Sequence, residues 1–174
     1  MEMNQTSQRL LEVKDLRVSF FSNGAETRAV NGVSYYVDRG EVVAIVGESG
    51  CGKSVTQMSV MQLIQTPPGK ILGGQVLFNG QDLLKFGQNS KEMESIRGNK
   101  IAMIFQEPMT SLNPVFTIGE QFSDIIRKHK KVSRKEAWRI GVEALAAVGI
   151  PDAGIRMKNY PFEMSGGMRQ RALI

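Results

Sequence analysis

Residues 47–54 restrict the fold of this sequence more than any other segment. They read Gly47-Glu48-Ser49-Gly50-Cys51-Gly52-Lys53-Ser54. This series fits the pattern G-x-x-x-x-G-K-[ST]. The run Val42 to Val46 before it is apolar on both faces, as in a strand covered on both sides of a sheet. Lys53 to Gln65 after it has a helical composition and ends before Pro67-Pro68. The sequence therefore predicts a buried strand, a glycine-rich turn and a helix in direct succession.

The residue types in this segment suit the binding of a triphosphate. Gly47, Gly50 and Gly52 let the main chain fold tightly, so that successive N–H groups point at phosphate oxygens. The helix that begins near Gly52 adds the positive end of its dipole. Lys53 reaches the β- and γ-phosphates, and the hydroxyl of Ser54 is placed to bind Mg²⁺. The strand and helix on either side favour a P-loop that binds ATP over a chance glycine-rich turn.

Composition and termini set the broad class. At 174 residues, with 41% apolar and 22% charged residues, the chain is expected to form one well-buried domain with room for a subdomain. A net charge of +5 is compatible with nucleic acid, anionic lipid or nucleotide as partners and selects none of them. The single cysteine, Cys51, excludes an intramolecular disulfide and fits a reducing compartment. We find no signal-peptide layout and no apolar run of the ~20 residues that span a bilayer.

Four further strands and two helices follow from the apolar periodicity. The strands are predicted at Leu10–Phe20, Val33–Val37, Gly74–Phe78 and Lys100–Phe105. The pairs Thr117/Glu120 and Ser133/Glu136 are capping boxes that begin the two helices. The first helix is expected to turn inward Ile118, Phe122, Ile125 and Ile126, and the second Ala137, Ile140, Ala144, Leu145 and Val148. The second helix is expected to end at Gly149.

Three other positions carry two interpretations each when they are read alone. The Cys51 side chain either fills a gap or is a thiol whose alkylation blocks nucleotide binding. Gln106 follows a predicted strand, where its amide is either structural or functional, in which case it binds Mg²⁺ or orients the water that attacks the nucleotide. Ser165-Gly166-Gly167 is either a plain helix cap or a second anion-binding turn at a helix N-terminus.

The P-loop, Gln106 and the Ser-Gly-Gly segment, in this order and spacing, resemble the ATPase subunits of ABC transporters. The stretches 105–114 and 160–171 are similar to the oligopeptide/dipeptide importer branch, where Met commonly stands at the position of Met168. The resemblance covers the chain from Leu11 onward. It implies an α/β P-loop NTPase core with an antiparallel β subdomain and an inserted helical subdomain, ending before the Walker B strand. The core would span 1–107 and the helical subdomain 108–174.

The resemblance also implies roles for individual residues. Gly47 to Ser54 would be the Walker A loop for ATP, and Gln106 the Q-loop glutamine, sharing Mg²⁺ with Ser54. Ser165, Gly166 and Gly167 would be the signature that touches the γ-phosphate of ATP held by a partner subunit. Phe21 is the candidate for stacking on adenine, whereas Phe20 continues the strand alternation into the core.

The partners implied by this family belong to a membrane assembly. They are a second ATPase subunit paired head to tail, two membrane permeases that contact residues 106–116, and an extracytoplasmic solute-binding protein. No nucleic-acid partner is expected. The chain is expected at the cytoplasmic face of the cell membrane, as a peripheral subunit.

The sequence departs from the family in its carboxylates and histidines. No apolar strand followed by Asp-Glu occurs, and the only histidine, His129, lies in a basic run. We therefore expect an N-terminal portion with weak nucleotide binding, negligible hydrolysis, exposed apolar faces at 42–46 and 101–105, and poor solubility. The basic run 127–135 is either a solvated surface or a contact for anionic lipid headgroups.

Several alternatives remain at this stage. They are a soluble ABC ATPase of DNA repair or translation, another P-loop enzyme such as a kinase or GTPase, and an inactive remnant. The solute is not readable within this branch, where dipeptides, oligopeptides, glutathione and nickel share similar ATPase motifs.

Overall fold

The computed structural model describes residues 9–105 and 111–174. The chain divides into two compact units, 1–101 and 102–174. The predicted domain boundary between residues 107 and 108 lies outside the described residues. Each unit is described by itself.

The first unit is built on an antiparallel sheet. Its strands are β1 (Arg9–Ser22), β2 (Ala25–Asp38), β3 (Gly69–Phe78) and β4 (Gln81–Asp82), in the order β2-β1-β3-β4. The predicted strands at Leu10–Phe20, Val33–Val37 and Gly74–Phe78 are confirmed, and each is longer in the structure. Two-residue turns join the hairpins at Asn23-Gly24 and Asn79-Gly80, where all four residues have positive φ.

One hydrophobic core joins this sheet to α1 (Lys53–Val60) and α2 (Lys91–Ile96). The sheet contributes the alternating side chains of β1 together with single valines from its neighbours, because successive residues of a strand face opposite sides. The buried members are Val13, Leu16, Val18, Val30, Val60, Val76, Leu83, Met93 and Ile96. This core fixes α1, and therefore the loop before it, against β1 and β2.

Two predicted strands are absent from the part of the chain that the structure describes. Residues 41–48 and 102–105 have no strand assignment, and Ile101 makes only an isolated bridge to Arg97. A strand is defined by hydrogen bonds to a neighbour, and none of residues 9–105 and 111–174 supplies one to these segments. Val42 is 96% exposed and Val46 88%, so the predicted exposure of this apolar run is confirmed while its strand conformation is not.

The predicted helix Lys53–Gln65 is shorter than expected, because α1 ends at Val60. Gln62 has a positive φ of 50° and turns its side chain back into the unit. Its amide nitrogen donates to the carbonyl oxygens of Leu83, at 2.6 Å, and Phe86, at 3.2 Å. A buried side chain thus ends the helix before Pro67.

The second unit is helical. It contains α3 (Ile118–Lys130), α4 (Arg134–Ala147), α5 (Ala153–Arg156) and α6 (Gly166–Leu173). The capping box of Thr117 and Glu120 is confirmed in both directions. Ser133 caps α4 through the N–H of Glu136, but the Glu136 carboxylate binds Arg139 instead of returning to the cap.

The helices of this unit pack closely where glycine allows it. A β-carbon at Gly119 would lie 2.4 Å from the Trp138 ring, and one at Gly141 would lie 2.5 Å from the Met157 methyl group. Ile118, Leu145 and Met157 are buried at this junction. Two predictions of inward side chains were wrong, because Ile125 and Ala144 are exposed. Both side chains lie on parts of the helix surface that the other described residues leave exposed.

Among the described residues, no helix has the length and apolar character needed to cross a bilayer.

Candidate functional site

The predicted phosphate-binding loop lies at the N-terminus of α1. The helix begins at Lys53 directly after Gly52, and no side chain caps it. The first N–H groups of any α-helix have no partner within the helix. The positive end of α1 is therefore available to an anion, and residues 47–51 and Ser54 are all exposed.

Glycine is required at position 52 for two separate reasons. Its φ of 90° is in the left-handed region, which side chains disfavour. A β-carbon there would also lie 2.2 Å from the carbonyl oxygen of Ala29 in β2. The main chain of the loop thus lies directly against the sheet, and this contact sets where α1 begins.

The ammonium group of Lys53 lies inside the loop. It donates to the carbonyl oxygen of Gly47, at 2.6 Å, and to that of Glu48. The sulfur of Cys51 is 3.4 Å away. The lysine is thus turned back along the six preceding residues, and a phosphate in the loop would exchange these carbonyl contacts for its own oxygens.

The structure describes one of the two predicted Mg²⁺ ligands. Ser54 is exposed on the first turn of α1, where its hydroxyl can serve as one oxygen ligand. Gln106, the second predicted ligand, lies outside the described residues. In residues 9–105 and 111–174, no group of three His, Cys, Asp or Glu side chains is placed to hold a metal by itself. The residues fit a magnesium ion that receives most of its ligands from the nucleotide and water.

The two phenylalanines at the end of β1 differ in burial. Phe20 packs against the core of the first unit, whereas Phe21 is 46% exposed. The N–H of Phe21 donates to the carbonyl oxygen of Pro68 at 2.9 Å, which fixes the end of the strand. The role of Phe21 in stacking on adenine stays a prediction.

The Ser-Gly-Gly segment forms the start of α6. Ser165 is the N-cap, and its hydroxyl accepts from the N–H of Met168 at 3.3 Å. Gly166 and Gly167 are the first two residues of the helix and are exposed. A β-carbon at either glycine would meet no described atom within 4 Å. Packing within the described chain therefore gives no reason for glycine at these two positions.

One polar network near the site was not predicted from the sequence. The Arg97 guanidinium donates to the carbonyl oxygens of Met61, at 2.8 Å, and Gln62, at 3.0 Å. These carbonyls follow the last turn of α1, where positive charge is stabilised by the helix dipole. Arg97 thus anchors the end of α1 opposite the loop. A single arginine 36 residues away carries no sequence signal for this contact.

The sequence pattern of the ABC transporter family matches residues 30–174. The chain is 51% identical over 166 residues to the oligopeptide transport ATP-binding protein OppD of Bacillus subtilis, covering 95% of this chain and 46% of OppD. It is 48% identical to the dipeptide transport ATP-binding protein DppD of the same organism, covering 96% of this chain and 49% of DppD. The chain spans about half the length of the curated relatives it matches.

The fold is also found among solved structures. The dimeric structure of a bacterial ABC transporter cassette has a TM-score of 0.80 at 23% identity, covering 95% of this chain and 67% of the cassette. This likeness confirms the predicted fold class, the P-loop NTPase fold with an antiparallel sheet and a helical part.

Proposed function

We propose, from the premise that this chain belongs to the ABC transporter family, that it is the nucleotide-binding part of a subunit that drives peptide import. The observation that carries the proposal is the loop of residues 47–52, held by its main chain against Ala29 at the open N-terminus of α1. The names of the relatives, oligopeptide and dipeptide transport ATP-binding proteins, favour di- and oligopeptides as the solutes.

Residues Gly47 to Ser54 would hold the phosphates of ATP. The loop supplies main-chain N–H groups, and Lys53 supplies a positive charge that already lies within the loop. Ser54 and Gln106 would hold Mg²⁺, which neutralises phosphate charge when it is bound. Phe21, exposed at the end of β1, would stack on the adenine ring.

Ser165, Gly166 and Gly167 would contact ATP held by a second ATPase subunit in a head-to-tail pair. Glycine is a poor helix former, at a cost of up to roughly 1 kcal/mol relative to alanine in a helix interior, and Gly166 and Gly167 are the first two residues of α6. Since no described atom comes near either glycine, contact within the chain does not explain that cost. Close approach of an outside anion to the first N–H groups of α6 does explain it.

Residues 111–116 would contact the membrane permeases. The side-chain amide of Gln121 holds this loop, donating to the carbonyl oxygens of Asn113 and Phe116 at 3.0 Å each. Val115 is 71% exposed, and Phe116 is exposed beside it. A loop fixed from behind that presents two apolar side chains outward suits a protein contact. The subunit would then lie at the cytoplasmic face of the membrane, below the permeases and an extracytoplasmic solute-binding protein.

Hydrolysis by residues 1–174 alone would be negligible. In-line attack on the γ-phosphate would need, besides Gln106, a carboxylate that polarises the attacking water, and no apolar strand of this chain is followed by Asp-Glu. The chain would therefore contribute binding, while the complete paired assembly would carry the ATPase activity.

The peptide assignment is tested by uptake in cells. We expect a Lys53→Ala substitution in the gene that encodes this chain to abolish uptake of labelled di- or oligopeptides, while Lys70→Ala, at an exposed lysine on β3, leaves uptake unchanged. Unchanged peptide uptake in the Lys53→Ala cells would refute peptide import. Binding of ATP by the purified chain tests the nucleotide assignment separately.

A further inference from the structure

The turn between α3 and α4 carries the densest positive charge of the chain. Six of the 22 Lys and Arg residues lie within residues 127–135, and no Asp or Glu lies among them. We term these nine residues the basic corner. Its charged members, all exposed, are Arg127, Lys128, Lys130, Lys131, Arg134 and Lys135.

The helix dipoles explain only part of the positive charge in the basic corner. Cations in the last turn of α3, from Arg127 to Lys130, are stabilised by the helix dipole. Arg134 and Lys135 are the first two residues of α4, where the same dipole disfavours positive charge. Their position therefore calls for a source of negative charge other than the helices.

Three carboxylates near Arg134 and Lys135 in the described part of the chain, those of Glu120, Glu136 and Glu143, are engaged by other groups. Glu136 and Glu143 both accept hydrogen bonds from Arg139, so each is already paired with a cation outside the basic corner. Glu120 accepts from Thr117, and Arg134 is the only member of the basic corner whose charge is felt there. The corner as a whole keeps a large positive excess that an external anionic surface would neutralise.

An apolar groove begins at the same place. A cavity of about 500 Å³ lies along one face of α4, between Ser133 and Glu143, and apolar atoms make up most of its lining. Trp138, the only tryptophan of the chain, and Val142 line it together with Lys135 of the basic corner. Ile125, two residues before the corner on α3, is also exposed.

We propose that the basic corner and this groove dock on a bilayer that contains anionic phospholipid. Cations next to such a surface are attracted by its negative potential. Indole rings prefer the boundary between headgroups and acyl chains, where one side is apolar and the other wet. A nucleic acid would satisfy the charge but would give the aliphatic part of the groove no partner. The proposal does not depend on nucleotide binding or on the identity of the solute.

The test uses vesicles and the fluorescence of Trp138. We expect the purified chain to bind vesicles of equimolar phosphatidylglycerol and phosphatidylcholine, with a blue shift of Trp138 emission and reduced quenching by acrylamide. Vesicles of phosphatidylcholine alone should give neither effect, and high salt should reverse binding. Each basic residue near the surface changes partitioning by about fivefold. The triple variant Lys130→Gln, Lys131→Gln and Lys135→Gln should therefore bind on the order of a hundredfold more weakly.

A matched variant separates local charge from net charge. Lys70→Gln, Lys85→Gln and Lys91→Gln remove the same charge from exposed positions of the first unit, and binding should remain within a few fold of the parent. Equal losses in the two triple variants would overturn the proposal, because binding would then follow net charge. Binding without any change in Trp138 emission would also overturn it, as would tighter binding to a DNA duplex than to the anionic vesicles.

Discussion

Gly52 and Ala29 are in main-chain contact so close that a β-carbon on Gly52 would lie 2.2 Å from the Ala29 carbonyl oxygen. Gly50, two residues earlier, has a similar positive φ of 82°, but no described atom lies within 4 Å of its β-carbon position. A substitution at Gly50 would therefore report only the cost of the backbone conformation. A substitution at Gly52 would report that cost together with the cost of a steric collision.

We expect Gly52→Ala to destabilise the chain more than Gly50→Ala does. Both substitutions force alanine into the left-handed region, which costs about 1–2 kcal/mol. Gly52→Ala must also displace a strand carbonyl, at a further cost of about 1–3 kcal/mol. Urea unfolding followed by circular dichroism measures the difference. Equal unfolding free energies for the two variants would show that the contact with Ala29 does not constrain the loop.

Lys53→Ala is expected to weaken nucleotide binding by about tenfold to a hundredfold. The reason is the loss of a charged hydrogen-bond donor, which is worth about 1.5–3 kcal/mol. Titration with a fluorescent ATP analogue and Mg²⁺ measures the affinity, and Lys70→Ala is the control for loss of charge. If Lys53→Ala keeps the parent affinity, the loop is not the phosphate site.

Cys51 reports on occupancy of the loop. It is the only cysteine, it is exposed, and its sulfur lies 3.4 Å from the Lys53 ammonium. We expect bound Mg-ATP to slow its alkylation by N-ethylmaleimide several-fold, since the phosphates would cover the thiol. The Lys53→Ala variant should need about tenfold to hundredfold more Mg-ATP for the same protection. Equal alkylation rates of the parent chain with and without Mg-ATP would contradict this placement of the nucleotide.

The sequence predicted the helix caps and the glycine loop better than it predicted the strands near them. The glycine loop, the cap at Ser165 and the box at Thr117 depend on residues close in sequence, so their patterns can be read directly. Residues 42–46 instead form a strand only when a neighbouring strand provides hydrogen-bond partners. The local composition carries no information on whether such a neighbour is present. Gln62 shortened α1 for a similar reason, since its partners Leu83 and Phe86 are distant in sequence.

Exposure of the apolar segment 41–46 leads to a prediction about solubility. We expect the double variant Val42→Thr and Val46→Thr to raise the soluble fraction of the chain without lowering its unfolding temperature, because both side chains are already exposed. Val13→Thr, at a buried position of β1, should lower stability by roughly 1–3 kcal/mol. Light scattering and thermal unfolding make the comparison. A loss of stability in the double variant equal to that of Val13→Thr would show that 42–46 is packed in solution.

The stability of α3 is expected to depend on pH through Glu120. Its carboxylate accepts from the main-chain N–H of Thr117, at 2.9 Å, and from the Thr117 hydroxyl, at 2.8 Å. These two hydrogen bonds, with a smaller contribution from Arg134, hold the pKa of Glu120 below its usual value, and burial opposes them only in part.

The direction of the pH effect follows from proton binding. The unfolded chain takes up a proton on Glu120 at a higher pH than the folded chain, so the stabilisation is complete above the ordinary glutamate pKa of about 4.3 and is lost as the pH falls through the lowered value. Glu120→Gln removes this titration. Its unfolding temperature should lie below that of the parent at pH 7, and the gap should close progressively on acidification below about pH 4. A Glu120→Gln curve that runs parallel to the parent from neutral to acid pH would mean that the Thr117 cap makes no ionic contribution to α3.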